Sequence, residues 1–409
     1  MTTTALDTDL LTPLAAYLRL RETARASFLL ESVDQGRLGR HSFVGCGERI
    51  VSFEEAEQLG EAVVGYLGYD HIAKLERTVP LPADGPDVPE SRFVVADFFL
   101  RFDHVTGTAD VLVGDPGTVA RILAQPVETS EPPVSAGETV RYPEREEHLR
   151  RVGVVQDHIR RGDVFQLVLS QRAERETTVS PLAVYRALRK INPSPYLFLL
   201  ELDGVALVGS SPETHVKAEG TRASLNPIAG TTERGEGDAE RLLTSEKDRA
   251  EHVMLVDLGR NDLSRVCVPG TVKVERFLEP ERFSHVTHLV SEVAGELVPG
   301  VSPFDLLRAT FPAGTVSGAP KVRAMQIISE LEGYRRATYA GVVGYFLPGV
   351  ALDTCIALRT VRIQDGRAYM QAGGGIVADS DPAAEHQECL NKLAAVEAAI
   401  EVAENGGRQ

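Results

Sequence analysis

The sequence predicts an α+β fold built on large, mostly antiparallel sheets flanked by helices. Strand-like segments far outnumber β-α-β units, so there are too few helical crossovers for a parallel sheet. The run Tyr196–Leu202, Asp203-Gly204, Val205–Gly209 also reads as a hairpin, with an Asp-Gly turn between two apolar strands. In chain order, Leu10–Leu20 has helical spacing. Ser27–Glu31, Ser42–Gly45, Phe93–Phe102 and Ala109–Gly114 are strand candidates rich in Phe and Val. Arg145–Arg160 reads as an amphipathic helix, Phe165–Arg172 alternates like a strand, and Pro181–Ile191 is a helix stopped by Asn192-Pro193. Ser245–Arg260 and Val322–Leu331 are helices. Gly341–Phe346, Asp353–Arg362 and Ala368–Ala372 are strands, and Ala383–Ala403 is a closing helix.

Two proline-rich stretches punctuate the chain. Val79–Glu90 reads as a loop, and Gln125–Tyr142, rich in Pro, Ser, Thr and Glu, reads as a linker. The expected organisation is an N-terminal region over 1–124 that shares the fold, a linker over 125–142, and a main domain over 143–404. Hydrophobic residues make up 43% of the 409, which excludes a disordered chain. Asp and Glu exceed Lys and Arg by 59 to 43, giving a net charge of −16. Such a surface argues against nucleic acid as a partner, because phosphates demand clustered Lys and Arg. An anionic substrate would need cations or a metal concentrated against this field. The four cysteines are scattered with no C-x-x-C, which fits reduced thiols rather than disulfides or a thiolate zinc site. Acids precede any apolar stretch at the start of the chain, so no signal peptide is expected. The uncharged stretch Ala337–Leu352 is too short to span a membrane. The expected location is the cytoplasm.

The common catalytic motifs are absent: no G-x-x-x-x-G-K-[ST], no G-x-G-x-x-G, no H-E-x-x-H and no G-x-S-x-G. A carboxylate-and-glycine constellation remains. Asp248 and Glu251 share one face of the 245–260 helix, and Glu385, Glu388 and Lys392 share one face of the closing helix. Two such faces would suit a hard divalent cation such as Mg²⁺, completed by water and substrate oxygens. The same spacing also describes two solvated helix faces. Gln371–Val377 (QAGGGIV) could bring backbone N–H groups up to an anion, or be a flexible turn. Phe311–Lys321 (FPAGTVSGAPK) is a second Gly-rich stretch, read either as an anion-binding approach to a helix or as a plain loop. Glu213 could be a general acid or a surface residue, and His288 an acid/base group or a structural histidine. Arg359 could hold a carboxylate bidentately. Together these residues suggest a metal-assisted enzyme acting on a small carboxylate.

Taken together, the segments resemble the chorismate-utilising enzymes, most closely the anthranilate synthase component I group. The resemblance runs from about residue 140 to 403. It rests on GDVFQLVLSQR (162–172), GSSPE (209–213), PIAGT (227–231), DRAEHVMLVDLGRNDLSRV (248–266), FPAGTVSGAPKVRAM (311–325), YAGVVGY (339–345), ALRT (357–360) and QAGGGIVADSDPAAE (371–385). Weaker N-terminal matches are FLLES (28–32), RHSFVG (40–45) and GYLGYD (65–70). The resemblance implies that Glu251 and Glu388 hold Mg²⁺ against the ring carboxylate of chorismate. It implies that Tyr339, Arg359 and the backbone of Gly373, Gly374 and Gly375 take the enolpyruvyl carboxylate, and that Gly230 and Thr231 belong to the ring site. Glu213 is similar to the acid that protonates the departing 4-hydroxyl, and His288 to the histidine of pyruvate elimination. Thr315 and Lys392 correspond to residues that contact the substrate.

Two positions choose among family members. Members that add water resemble one another in a Lys base where this chain has Gln166, and aminodeoxychorismate synthases read PIKGT where this chain has Ala229. Both departures favour attack by ammonia at C2, then loss of the hydroxyl and of pyruvate, giving anthranilate. The rival products are 2-amino-2-deoxyisochorismate, formed by stopping before pyruvate loss, and 4-amino-4-deoxychorismate. The altered Gly230-Thr231-Thr232-Glu233-Arg234-Gly235, where the family reads G-T-R-x-R-G, bears on that choice. No amidotransferase elbow G-x-C-x-G is present, so ammonia is expected from a separate glutamine amidotransferase subunit or from solution. Glu31 and Ser32, with Pro195, Tyr196 and Leu197, resemble the family's tryptophan feedback site, which makes the N-terminal region regulatory. The same residues also fit a strand edge and a turn.

Overall fold

A computed structural model describes residues 4–8, 11–34, 37–127, 134–282, 286–349 and 351–406. Among these residues lie two sheets of twelve and ten strands, every pairing antiparallel, and eleven α-helices. The first sheet runs from Thr4–Asp7 through Thr108–Val113, Phe98–Asp103, Arg37–Gly47, Ala26–Asp34, Tyr196–Leu202, Val205–Ser211, Thr360–Gln364, Arg367–Ile376 and Gln166–Thr177 to Gly318–Ala319. The second runs from Ile228–Glu233 through Val286–Glu296, Arg222–Leu225, Thr214–Glu219, Ala351–Ile356, Val342–Leu347, Val63–Leu67 and Ser91–Val95 to Arg49–Val51. The N-terminal region therefore threads strands into both sheets.

Strand alternation sorts side chains between two kinds of core. Phe28, Phe198, Leu200 and Leu207 of the first sheet meet Val64, Val94 and Val343 of the second between the sheets. Their neighbours Leu29, Leu197, Leu199 and Val208 turn outward, under helices Pro13–Leu20, Pro181–Ile191 and Pro382–Glu404. Likewise Val63, Phe93 and Val95 pack against Phe304, Leu307 and Met325 on the second sheet's outer face. The result is four layers, helix–sheet–sheet–helix. The helices begin where capping chemistry dictates: Ser180-Pro181, Ser302-Pro303 with Asp305 closing a capping box, and Asp381-Pro382.

Three expectations change. Phe93–Phe102 is two strands, Ser91–Val95 and Phe98–Asp103, in different sheets. Asp353–Arg362 also divides, into Ala351–Ile356 of the second sheet and Thr360–Gln364 of the first. Within the expected linker, Ala136–Tyr142 forms a strand along Gln166–Thr177, and residues 128–133 of that stretch lie outside the described residues. The four cysteines are buried and unpaired. Among the described residues no helix is long and apolar enough to cross a membrane.

Two buried histidines set an acid limit. Both ring nitrogens of His148 lack partners, and the ring packs edge-on to His386 with centroids 5.5 Å apart. Burial, with His386 and Arg151 nearby, pushes His148 down to about 4, and burial beside Lys321 pushes His215 down to about 3. Unfolded imidazole titrates near about 6.5, so the unfolded chain binds more protons below that pH. Stability contributed by keeping both rings neutral is therefore lost as pH falls from about 6.5 toward 4. The urea midpoint is expected to drop between pH 7 and pH 5, and less steeply in His148→Phe.

Candidate active site

The site forms where the chain passes from one sheet to the other. Strand Val205–Ser211 of the first sheet hands over to Thr214–Glu219 of the second through Pro212-Glu213 alone. Beside it, Ala351–Ile356 of the second sheet returns to Thr360–Gln364 of the first through Ala357-Leu358-Arg359. Backbone bonds lock the two links together, Ile356 N–H to Glu213 O at 3.1 Å and Ser210 N–H to Arg359 O at 3.2 Å. Arg359 makes its turn at φ +47°, a left-handed value that a non-glycine residue adopts at a cost.

This corner brings together acids and bases distant in sequence. Burial pushes Glu213 up to about 7, opposed by Thr315, Lys392 and Arg359 close by. Thr315 Oγ1 lies near enough to lower the acid, yet it is buried without a completed hydrogen bond. Gly314 presses on the 246–264 helix, since a Cβ there would stand 2.0 Å from Leu258 Cδ2, and this close approach seats Thr315. Arg359 forms no ion pair among the described residues, and burial lowers its pKa against the attraction of Glu213. His288 lies near Arg359. Burial pulls its pKa down, and its Nδ1 is 3.1 Å from Gly230 O, which fixes the ring over the 228–233 strand. The side chain of Thr231 lies outside the described residues.

The three glycines are neither a turn nor a loop. They sit inside strand Arg367–Ile376, opposite Leu169, Ser170 and Val168. The neighbouring strand Thr360–Gln364 pairs only as far as Met370, so the glycine edge is left open on that side. Lys392 Nζ donates to Gly373 O at 2.8 Å from this open side. Because alternate residues turn N–H and C=O to opposite sides of an antiparallel ladder, the amides of Gly373 and Gly375 face the open edge. Each glycine also admits a close neighbour. A Cβ at Gly373 would lie 2.7 Å from Leu169 O and 2.9 Å from Tyr339 Oη. One at Gly374 would meet Glu385 Oε2 at 2.9 Å, and one at Gly375 would meet Gln166 Nε2 at 2.2 Å. Gly373→Ala is expected to raise KM about tenfold or more, because the added methyl displaces Tyr339 and forces the strand away from Leu169 O; steady-state kinetics check this, with circular dichroism reporting how far the strand shift spreads.

Each predicted carboxylate face reaches these glycines, Glu385 and Glu388 directly and Glu251 through Gln166. Gln166 Nε2 donates to Glu251 Oε1 at 2.9 Å, and Glu388 pairs with Lys392 at 2.6 Å. Glu388 Oε1 is 3.6 Å, and Glu385 Oε2 2.9 Å, from the Cβ position of Gly374. Ser380 Oγ donates to Glu385 Oε1 at 2.7 Å. The donors are all carboxylate oxygens, with no thiol or imidazole among them, a set that fits a hard divalent cation.

Sequence reasoning missed Arg336, which ties the site's walls together. It is 3% exposed and donates to Val316 O, Val168 O and Glu332, and it stacks on Tyr69 and Tyr339 at 4.7 and 5.5 Å. Only its position three residues before Tyr339 hinted at this role. The residues similar to the feedback site converge elsewhere, on an open cavity lined by Glu31, Ser32, Pro195, Tyr196 and Leu197 together with His41, Lys217 and Asp353. The Glu31 carboxylate itself turns to the helix side, where Tyr185 and Arg189 hold it.

Residues 10–398 match the family described as chorismate binding enzyme. The chain belongs to the chorismate-binding enzymes. This chorismate-binding enzyme is 42% identical to anthranilate synthase component 1 of Thermus thermophilus, over 97% of each chain. It is 39% identical to the Saccharomyces cerevisiae component 1, over 96% of this chain and 90% of that protein. Anthranilate synthase component I from Streptococcus pneumoniae superposes with a TM-score of 0.79 at 33% identity, covering 96% of this chain and 98% of that one. The menaquinone-specific isochorismate synthase of Escherichia coli shares the fold at a TM-score of 0.78 and 20% identity, over 97% of this chain and 94% of that one.

Proposed function

We propose that this enzyme aminates chorismate at C2 with ammonia and then eliminates pyruvate, giving anthranilate, the first step of tryptophan biosynthesis. The observation that carries the reading is the corner where Glu213, held near neutrality, meets Thr315, Arg359 and Lys392. An acid titrating at about 7 is half protonated at neutral pH and suits delivery of a proton to a leaving hydroxyl. Arg359 and the open amides of Gly373 and Gly375 offer a carboxylate one charge and two donors. Gln166 bonds Glu251 and cannot accept a proton, which leaves water unactivated and favours an amine nucleophile. His288, neutral through burial, can take a ring proton as pyruvate departs.

Mg²⁺ held by Glu251 and Glu388 would neutralise and orient a ring carboxylate. Ammonia is supplied by a separate glutamine amidotransferase subunit, a reading supported by the "component 1" names of the relatives. Tryptophan occupies the cavity around Ser32, Pro195, Tyr196 and Leu197, and the enzyme works in the cytoplasm.

The test is to incubate the purified chain with chorismate, Mg²⁺ and excess ammonium and to identify the products by fluorescence and mass. Anthranilate plus pyruvate supports the reading, whereas an aminated product that keeps the enolpyruvyl group overturns the second half-reaction. Tryptophan is expected to inhibit, and Tyr196→Ala to weaken that inhibition at least about tenfold, because a partly buried aromatic wall and its Asp353 bond are lost together; dose–response curves check it.

A further inference from the structure

Behind Tyr339, on the side toward the 79–90 loop, two adjoining cavities share Arg172, Tyr334 and Gln371. Tyr339 is the only residue of the candidate catalytic set among their linings; Glu213, Arg359, Glu388 and Lys392 are all absent. The walls are unusually cationic for a chain with a net charge of −16. Arg172, Arg335, Arg336 and Arg362 line the inner cavity against one acid, Glu174.

These arginines differ in how well they are compensated. Arg336 is neutralised by Glu332 at 2.7 Å. Glu174 stands 3.2 Å from Arg172 Nε, but that nitrogen is buried without a hydrogen bond. Arg362 is 4% exposed and has no ion pair among the described residues; its side chain donates to the amide oxygen of Gln364, and Glu174 favours its charge from beyond ion-pair distance. Arg335 also has no ion pair among the described residues; its Nε is buried without a hydrogen bond, and its Nη2 reaches Pro86 O at 3.5 Å. A buried guanidinium without a counter-charge is costly, and folds retain one where an anion completes it. The planes are held ready by stacking. Arg172 lies over the Tyr334 and Tyr142 rings at 3.5 and 4.5 Å, and Arg362 over Tyr369 at 3.9 Å. Flat guanidinium groups fixed in this way present paired N–H donors, the geometry that matches a carboxylate.

We propose that this cleft is a second anion site, holding a small organic monocarboxylate between Arg362 and Arg335 and against the back of Tyr339. Such a ligand could come from the enzyme's own turnover or from the surrounding solution. Pyruvate and acetate serve as the probes for these two sources.

The experiment is saturation-transfer NMR of each probe's methyl group with the full chain, without chorismate, Mg²⁺ or ammonia, so its outcome is independent of which product the enzyme makes. Four proteins are compared, each checked for folding by circular dichroism: wild type, Arg359→Gln, which disables the carboxylate site of the catalytic corner, and two cleft variants that add Arg362→Gln or Arg335→Gln to Arg359→Gln. The expected result is binding preserved in Arg359→Gln and weakened at least about tenfold in both cleft variants, the size of a lost charge-assisted pair. Arg335 is only half-buried, so its variant still reports if Arg362→Gln fails to fold. Pyruvate binding with no acetate binding assigns the site to turnover, and equal binding assigns it to carboxylates in general. Full binding in a folded cleft variant overturns the proposal, as does loss of binding in Arg359→Gln alone.

Discussion

Glu213→Gln is expected to lower chorismate consumption about 10²- to 10⁴-fold while leaving substrate affinity nearly unchanged. Gln keeps the shape and the hydrogen-bonding reach of the side chain but cannot donate an acidic proton. The environment of Glu213 makes this the largest single effect. Its carboxyl is buried, raised to about 7, and faces Thr315, Lys392 and Arg359. The direction of the pH dependence follows. The acid form is the active one, so the rate through this step falls as pH rises through about 7. In Arg359→Gln one lowering influence is removed, and the alkaline limb should move to higher pH. A Glu213→Gln enzyme with wild-type turnover would exclude this residue as the acid.

Glu388→Ala is expected to cost on the order of 10³-fold in activity and most of the dependence on added Mg²⁺. A metal ion on a carboxylate is worth several kcal/mol, and each factor of ten corresponds to about 1.4 kcal/mol. The substitution also frees Lys392, which now divides its donors between Glu388 at 2.6 Å and Gly373 O at 2.8 Å. Glu251→Gln tests the other face, since Gln166 can still bond its amide oxygen. Calorimetric Mg²⁺ titration of the two variants separates metal binding from catalysis. Unchanged Mg²⁺ affinity in both variants would move the metal elsewhere.

Much of this architecture is legible in the residues, because period is local. Arg145–Arg160 and Pro181–Ile191 carry helical spacing, the second starts at a recognisable Ser180-Pro181 cap, and the Asp203-Gly204 hairpin follows from its turn. The errors also have a physical origin. Phe93–Phe102 and Asp353–Arg362 read as single strands because an apolar run shows burial but not which sheet does the burying. The breaks at Ala96-Asp97 and Ala357-Leu358-Arg359 are short and set by long-range pairing. QAGGGIV left a turn and a cradle both open. Its glycines are strand residues chosen for what crowds them, Tyr339, Glu385 and Gln166, and no local signal names those neighbours. The candidate site was legible as a list of residues. Its assembly at one corner between two sheets, and the role of Arg336 in bracing that corner, depend on contacts between separate segments of the chain, such as Gln166 with Glu251 and Val168 with Arg336.

The sheet-to-sheet links give the proposed feedback a very short wire. Thr214 lines the N-terminal cavity, and its neighbour in sequence is Glu213. Cys355 lines the same cavity, four residues ahead of Arg359. On that proposal, a ligand filling the cavity would press on the two strands whose ends hold the acid and the guanidinium, and the bonds between the links tie the two ends together. Inhibitor and substrate would then compete for the geometry of a single hinge, without a relay through distant layers. Variants that loosen this hinge, such as Pro212→Ala, should uncouple tryptophan from catalysis before they abolish either.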